Sequence, residues 1–397
     1  MRRDDLKPAV RRQLRRLPAP YAAHYGVVPL PPPEDALPLT EALPKLRAAS
    51  DALAKVDVLA SELKDPYIIS RILTRQEAVS SSAIEGTNST LDELLSVEET
   101  ESAGAGDAAM QVRDYATALD TRLPQARKMG HELFDVALVR DLHRAVMRGD
   151  RHYQDGPGAL RTIVVWIGGA RDIAYSTYNP TPPADIAASL GQTMAYMRCA
   201  GLQATHQHLV TRMAVAHAHF EAVHPFRDGN GRVGRLLLPL MMAAEGHVPL
   251  YLSSYIEAHK QAYYDSLKTA QQRLEWDRAV GFMADAVTGA VSELMVTRNA
   301  LQKLSRAWRQ RHTFRDGSSA ALALDLLPHY PVITIKRLSA LLAVSIPAAT
   351  AAAHQLSERG VLAERTGYRR NRVFVASEAL TIINRPFGAK PRVVDDK

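Results

Sequence analysis

The sequence predicts a mainly helical chain with one β-hairpin and a small winged-helix domain at its C-terminal end. Three observations predict this. Apolar residues recur three to four apart through most of the chain, as in Leu209, Met213, Ala216, Phe220 and Val223, the period of a helix buried along one face. One segment, Thr162-Ile163-Val164-Val165-Trp166-Ile167, is β-branched and aromatic. It reads as a strand that Gly168-Gly169 turns and Ile173-Ala174-Tyr175 returns. From about residue 318, three short helical patterns precede two short strand patterns, the order of a winged helix.

The expected boundaries follow these patterns. Residues 1–45 form an extended basic, Pro-rich arm, 46–110 an N-terminal helical region and 111–290 the main core. A linking helix over 291–317 leads to the winged-helix domain, 318–384, and a tail, 385–397.

A chain of 397 residues is long enough for two or three domains with their own cores. Its one cysteine, Cys199, excludes an intrachain disulfide framework and suits a reducing compartment. No segment reads as a bilayer span, and the first twenty residues lack the apolar stretch of a signal peptide. The expectation is a cytoplasmic protein with no membrane partner. The net charge of +7 is uneven. Residues 1–20 carry seven Lys/Arg against two Asp, and residues 311–397 carry thirteen Lys/Arg against seven Asp/Glu. The rest is slightly acidic, so the basic balance does not make the centre a nucleic-acid binder.

In chain order, Val28-Pro29-Leu30-Pro31-Pro32-Pro33 cannot be helix. Helical period starts near Leu39 and runs to Leu59, and Pro66 opens another helix toward Val79. Ser81 and Glu85 fall one turn apart, and Gly86 fits a left-handed helix stop; alone, this is a capped helix end. Thr87–Leu94 reads as a new N-cap and helix, and 102–108 as a flexible linker. Further helices fall at Val112–Tyr115, over Val136–Val146 with a structural His143, and over 184–200. Beyond Val223 come Tyr251–Ile256, then Lys260–Leu267 with the aromatic pair Tyr263-Tyr264, then a helix near Trp276 and Phe282. A long helix spans roughly 284–312. In the last domain, helices fall at 320–327, 334–342 and from Ser345 to Gly360, with strands 361–364 and 372–375 around a basic wing. Its third helix is mostly alanine and carries almost no side chain able to read base edges. Contact with a protein or with non-specific DNA fits it better.

The chemistry concentrates in His224-Pro225-Phe226-Arg227-Asp228-Gly229-Asn230-Gly231-Arg232-Val233-Gly234-Arg235. A polar, glycine-bearing loop between two apolar helices is costly unless a ligand or side chains satisfy it. A second helix starting near Asn230-Gly231 points free N–H groups and the positive end of its dipole at one spot, an anion site. Arg232 and Arg235 share a face just inside that helix and can grip phosphates. Asp228 beside phosphates suits Mg²⁺. His224 closes the preceding helix and can take a proton from a hydroxyl.

These twelve residues match, with no mismatch, the signature of Fic-domain proteins, and the chain resembles that family. The resemblance implies an all-α Fic fold, a helical bundle with a β-hairpin flap. It implies AMP transfer from ATP, with Mg²⁺ (or Mn²⁺), to a Tyr, Thr or Ser hydroxyl on a target protein or on the chain itself. His224 would be the catalytic base and Asp228 the metal ligand. Gly229, Asn230, Gly231, Arg232 and Arg235 would bind phosphate. Ser81-x-x-x-Glu85-Gly86 resembles the family's inhibitory motif, with Glu85 occupying Arg235. The hairpin resembles the flap, where Val165, Trp166, Ile167 and Gly168 would align the target by β-augmentation. Tyr263 or Tyr264 would wall the adenine, and Gln271 stands where relatives often have Asn. Other readings remain: a different donor, AMP removal with Glu85 aligning a water, or a winged-helix DNA-binding regulator that senses nucleotide. A homodimer is left open.

Overall fold

A computed structural model of the chain describes residues 1–62, 67–100, 106–151, 153, 155–365 and 372–392. The two helices flanking the signature loop form the centre: α9 (Leu209–Val223), in which every residue is buried, and α10 (Asn230–Ala244). A helix that is apolar nearly all round must be enclosed by others, and the remaining helices enclose these two.

The enclosing elements follow in chain order. A single turn, α1 (Pro8–Arg11), and an antiparallel pair, β1 (Leu14–Arg16) and β2 (Tyr25–Val27), start the chain. The first 27 residues are therefore not the extended arm expected. Leu6, Val10 and Val27 have apolar partners in Tyr178 and Ala222 and fold down onto them. Extended chain covers only the proline-rich part. Then come α2 (Ala42–Glu62), α3 (Tyr67–Ile84), α4 (Leu91–Thr100), α5 (Asp107–Met129) and α6 (Val136–Val146). Thr90 and Glu93 cap α4 reciprocally: each side chain takes the other's backbone N–H, at 3.0 and 3.1 Å. The proposed helix start at Pro66 and most of the linker lie outside the described residues; Asp107 and Ala108 already belong to α5.

The hairpin is corrected. Residues 162–166 form no strand, and a single antiparallel bridge joins Ile167 to Tyr178. The expected return, Ile173–Tyr175, is a 3₁₀ turn. Gly168 and Gly169 both take positive φ, as a turn there needs. The segment runs along the flank of the bundle, where Val27 N–H donates to the Asn179 carbonyl at 3.0 Å, so β-branched residues there answer to that surface and not to a ladder.

After α7 (Ile186–Met197) and the short turn α8 (Gln203–His206) come the central pair, then α11 (Ser253–Ala258) and α12 (Lys260–Arg273). The next helix, α13, runs unbroken over Trp276–Arg311. The boundary expected at 290/291 thus falls inside one helix. Part of α13 is apolar enough by composition to cross a membrane, against the sequence expectation. Half of that stretch is buried in this protein, with α2, α9 and α12 packed on it.

The C-terminal unit comprises α14 (Ser319–Leu326), β3 (Val332–Thr334), α15 (Ile335–Leu342), α16 (Ile346–Glu358), β4 (Ala363–Glu364), β5 (Val373–Val375) and α17 (Ser377–Ile383). Its sheet is antiparallel in the order β3-β5-β4. The three-residue β3 was not read from the sequence, and the wing tip, 366–371, lies outside the described residues. This unit packs on α13, where Arg311 meets Glu378 at 3.0 Å, and on α4, where Arg337 meets Glu99 at 3.3 Å.

Candidate active site

The loop is built by its own side chains. Asn230 opens α10, and its amide closes back on Phe226: Oδ1 accepts from the Phe226 N–H at 2.8 Å and Nδ2 donates to the Phe226 carbonyl at 2.9 Å. Gly229 sits at φ +78°, and a Cβ there would come 2.9 Å from the Met147 sulfur. Only glycine meets both demands. His224 ends α9 in the left-handed region, φ 51°, which turns its ring out of the helix.

Three residues that the sequence reading left aside hold this loop. Glu221, one turn before His224 on α9, brings a buried carboxylate oxygen to 3.7 Å from His224 Nδ1. Burial works against its charge, yet the neighbouring His224 brings the carboxyl below its ordinary range. The i, i+3 spacing from Glu221 to His224 was the available signal. Arg161 is 3% exposed and donates only to carbonyls: His224 at 2.8 Å, Ile163 at 2.9 Å, Thr181 at 2.5 Å and Val223 at 3.4 Å. Burial lowers its pKa to about 10. It complements the negative end of α9, and nothing in the sequence marked it. His143, expected to be structural, has Gly158 N–H donating to Nδ1 at 2.8 Å, so its Nε2 donates to the Asp228 carbonyl at 3.0 Å. Its ring stacks on Phe226 at 3.7 Å, and burial lowers its pKa to about 4.

The N-terminus of α10 faces α3 and the turn that follows it. Arg235, 1% exposed, donates from Nε to Ser81 Oγ and from Nη2 to the Ser81 carbonyl, both at 2.9 Å, and from Nη2 to Glu85 Oε1 at 2.7 Å. Burial alone would lower the Arg235 pKa, but the Glu85 charge raises it well above its ordinary value. A Cβ on Gly231 would lie 2.1 Å from Glu85 Oε1. The carboxylate therefore rests on the first turn of α10, where an anion would bind. Gly86 ends α3 at φ +86°, and Lys260 Nζ caps the Ile84 carbonyl at 2.7 Å. Arg232 is buried with no carboxylate beside it among the described residues: it reaches Gln111 Oε1 at 3.3 Å and Met147 Sδ at 3.1 Å, and its Nε is buried without a partner. Such a guanidinium is unsatisfied until an acceptor arrives.

Asp228 is exposed at the loop mouth, where a hard cation with most of its water could reach it. Tyr264 is 43% exposed, whereas Tyr263 is buried with its hydroxyl 2.7 Å from His217 Nε2. Of the pair, only Tyr264 offers a surface to a base. The structure does not bring Gln271 to the loop. Its amide donates to the Ala218 carbonyl at 3.1 Å, and it lines a small cleft with Val27 and Pro29. Val165, Trp166 and Ile167 are half-buried and Gly168 exposed. Trp166 packs edge-on against Tyr21 at 5.5 Å.

Helical bundle, signature loop and opposing α3 glutamate define a Fic-type fold, and comparison with known proteins agrees. Residues 133–242 match the Fic/DOC family and residues 43–122 the Fic/DOC family N-terminal region. Over these residues the chain belongs to the Fic/DOC family. It is similar to the protein adenylyltransferase Fic of Culex quinquefasciatus, 28% identical over 57% of this chain and 42% of that one. It is likewise similar to protein adenylyltransferase fic-1 of Caenorhabditis briggsae, 29% identical over 35% of this chain and 25% of that one. The chain thus spans well under half the length of these curated relatives. A Fic family protein from Desulfovibrio desulfuricans G20 superposes with a TM-score of 0.53 at 19% identity, covering 87% of this chain and 98% of its own. Fic-1 of C. elegans gives 0.50 at 20% identity, covering 65% and 73%. At these identities the likeness is one of fold.

Proposed function

We propose that this chain is a protein adenylyltransferase that moves AMP from ATP to a Tyr, Thr or Ser hydroxyl of a target protein, and that Glu85 restrains it. One observation carries the reading: the α3 carboxylate lies on the anion site of an intact signature loop and occupies Arg235.

The α10 N-terminus holds the triphosphate through the N–H groups around Gly229–Gly231, with Arg232 and, once freed, Arg235 on the outer phosphates. His224 takes the proton of the incoming hydroxyl as it attacks the α-phosphorus, the bond from that phosphorus to the β-phosphate oxygen breaks and pyrophosphate leaves, and Glu221 steadies the imidazolium that results. Asp228 would hold Mg²⁺ or Mn²⁺, which would neutralise charge on the phosphates. The chain around Ile167 aligns the target backbone, and Tyr264 walls the base. While Glu85 stays in place, the outer phosphates have no seat, and misplacement by an ångström is enough to stop the reaction. The C-terminal unit reads as a winged helix that contacts protein; α16 presents Ile346 and Pro347 to solvent, and His354 and Gln355 are exposed side chains on it that could meet a base edge.

The test is label incorporation from α- and γ-³²P-ATP by wild type, Glu85→Gly and Glu85→Gly/His224→Ala. The reading requires label from the α position only, strong in Glu85→Gly and lost in the double variant. Equal activity of wild type and Glu85→Gly removes the inhibition. No label at all favours another donor, the reverse reaction or a nucleotide sensor.

A further inference from the structure

A second site lies behind α3. A cavity of about 560 Å³ opens between α2, α3, the 248–251 loop, α13 and the chain at 384–387. Its walls are mostly apolar: Leu73 and Val79 from α3, Leu294 from α13, and Phe387. The volume falls within the roughly 300–1,000 Å³ of small-molecule sites, lined as those are by apolar groups with a few polar ones.

The charged groups around it select among small molecules. Among the described residues Arg385 is the only basic one in the lining, and it is fully engaged. It pairs with Glu293 and donates to Thr297 Oγ1 at 3.0 Å and to the carbonyls of Ile382 and Ala389 at 2.6 and 2.8 Å. Against it stand Glu257, exposed at the rim, and the buried Glu77, which accepts from Ser253 N–H at 2.9 Å and Ser253 Oγ at 2.6 Å. Among the described residues an anion finds no free cation here, and it meets a carboxylate on entry. A neutral or cationic apolar molecule meets neither cost.

The position matters as much as the chemistry. Leu73, Gln76, Val79 and Ser80 share one face of α3 and line the cavity, while Ser81 and Glu85, one turn apart on the adjacent face, hold Arg235. Ser80 Oγ also meets Ser254 Oγ at 3.1 Å across the cavity edge. The wall thus exists with α3 seated. A ligand that needs this wall binds the seated form better and shifts the population toward it.

We propose that this cavity is a regulatory site for a neutral or cationic apolar small molecule, and that filling it strengthens the hold of Glu85 on Arg235. The binding claim stands on the cavity alone; the regulatory claim rests on the inhibition proposed above.

The probe is Nile red, a neutral apolar dye, with the anionic dye ANS for comparison. Wild type binds Nile red saturably at one site with blue-shifted emission, and ANS at least tenfold more weakly. Ala258→Trp and Ala290→Trp fill the cavity from different helices, and each weakens Nile red binding at least tenfold while leaving melting and circular dichroism intact; if one fails to fold, the other decides. Unchanged affinity in a folded filling variant overturns the site, and ANS binding as tightly overturns the ligand class. At saturating Nile red, amide exchange between Leu73 and Ile84 slows at least threefold. Unchanged exchange overturns the regulatory coupling, whether or not the protein transfers AMP.

Discussion

Glu85 and Arg235 meet at 2.7 Å across the α3–α10 boundary, and Ser81 accepts from Nε and Nη2 of the same guanidinium. Arg235 is buried, whereas the Glu85 side chain is 32% exposed. Water screens such a pair, so its strength is ~1–2 kcal/mol, less than a fully buried one would give. Ser81→Ala removes one acceptor and leaves the buried Arg235 Nε without a partner, at a cost of about 1 kcal/mol. Incorporation should rise about fivefold, and in Glu85→Gly by at least about tenfold. A Ser81→Ala enzyme as silent as wild type would remove Ser81 from the restraint.

His143 makes the loop sensitive to acid. Its folded pKa is about 4, below its ordinary value of 6.5, because burial disfavours the charged ring. A depressed pKa means that the neutral ring's contribution is complete above pH 6.5 and is lost as pH falls toward 4. The loss reaches ~3 kcal/mol over that window. His219 carries the same shift, so the two act together. Urea midpoints measured from pH 7 to 4 should fall in wild type and fall less steeply in His143→Gln. Parallel curves would show that His143 is not the titrating group.

Arg161 binds four carbonyls, those of Val223, His224, Ile163 and Thr181, and no carboxylate among the described residues, so its role is to finish the end of α9 and carry the chain from Ile163 to Thr181 past His224. Arg161→Met keeps the bulk but strands those carbonyls. It should cost 2–4 kcal/mol in urea unfolding, at about 1–3 kcal/mol for an unsatisfied buried group with some relief from water. Transfer by a Glu85→Gly/Arg161→Met enzyme should drop further than stability explains, since His224 loses its anchor.

The central helices, the start of α10 at Asn230, the Gly86 stop and the Thr90 cap were all legible, because local period and capping chemistry decide them without help from distant residues. The loop's signature and its place between two buried helices were legible for the same reason: twelve consecutive residues carry the pattern. Its supports were not. Arg161 comes from 63 residues before His224, and only the folded chain brings it under the helix end. The strand pattern at 162–167 misled because β-branched residues suit any half-buried surface, and here the N-terminal segment and the bundle flank supply one. The first 27 residues failed for the converse reason: a basic composition hid Leu6, Val10 and Val27, whose partners lie near residues 178 and 222.

Gly231 gives the sharpest test of shared occupancy. A Cβ there would stand 2.1 Å from Glu85 Oε1 and 2.8 Å from Arg235 Nη1. Its backbone is ordinary helix, so alanine should favour the first turn by about 0.5–1 kcal/mol once the carboxylate is gone. Glu85→Gly/Gly231→Ala should therefore be at least as stable as Glu85→Gly. Yet the methyl takes the space through which a phosphate approaches the α10 N–H groups, so ATP affinity should fall at least about tenfold. Calorimetric titration of both variants with ATP measures this directly. Equal affinity would place the phosphates elsewhere and would separate the volume filled by Glu85 from the volume filled by nucleotide, leaving the Arg235 pair as the whole of the restraint.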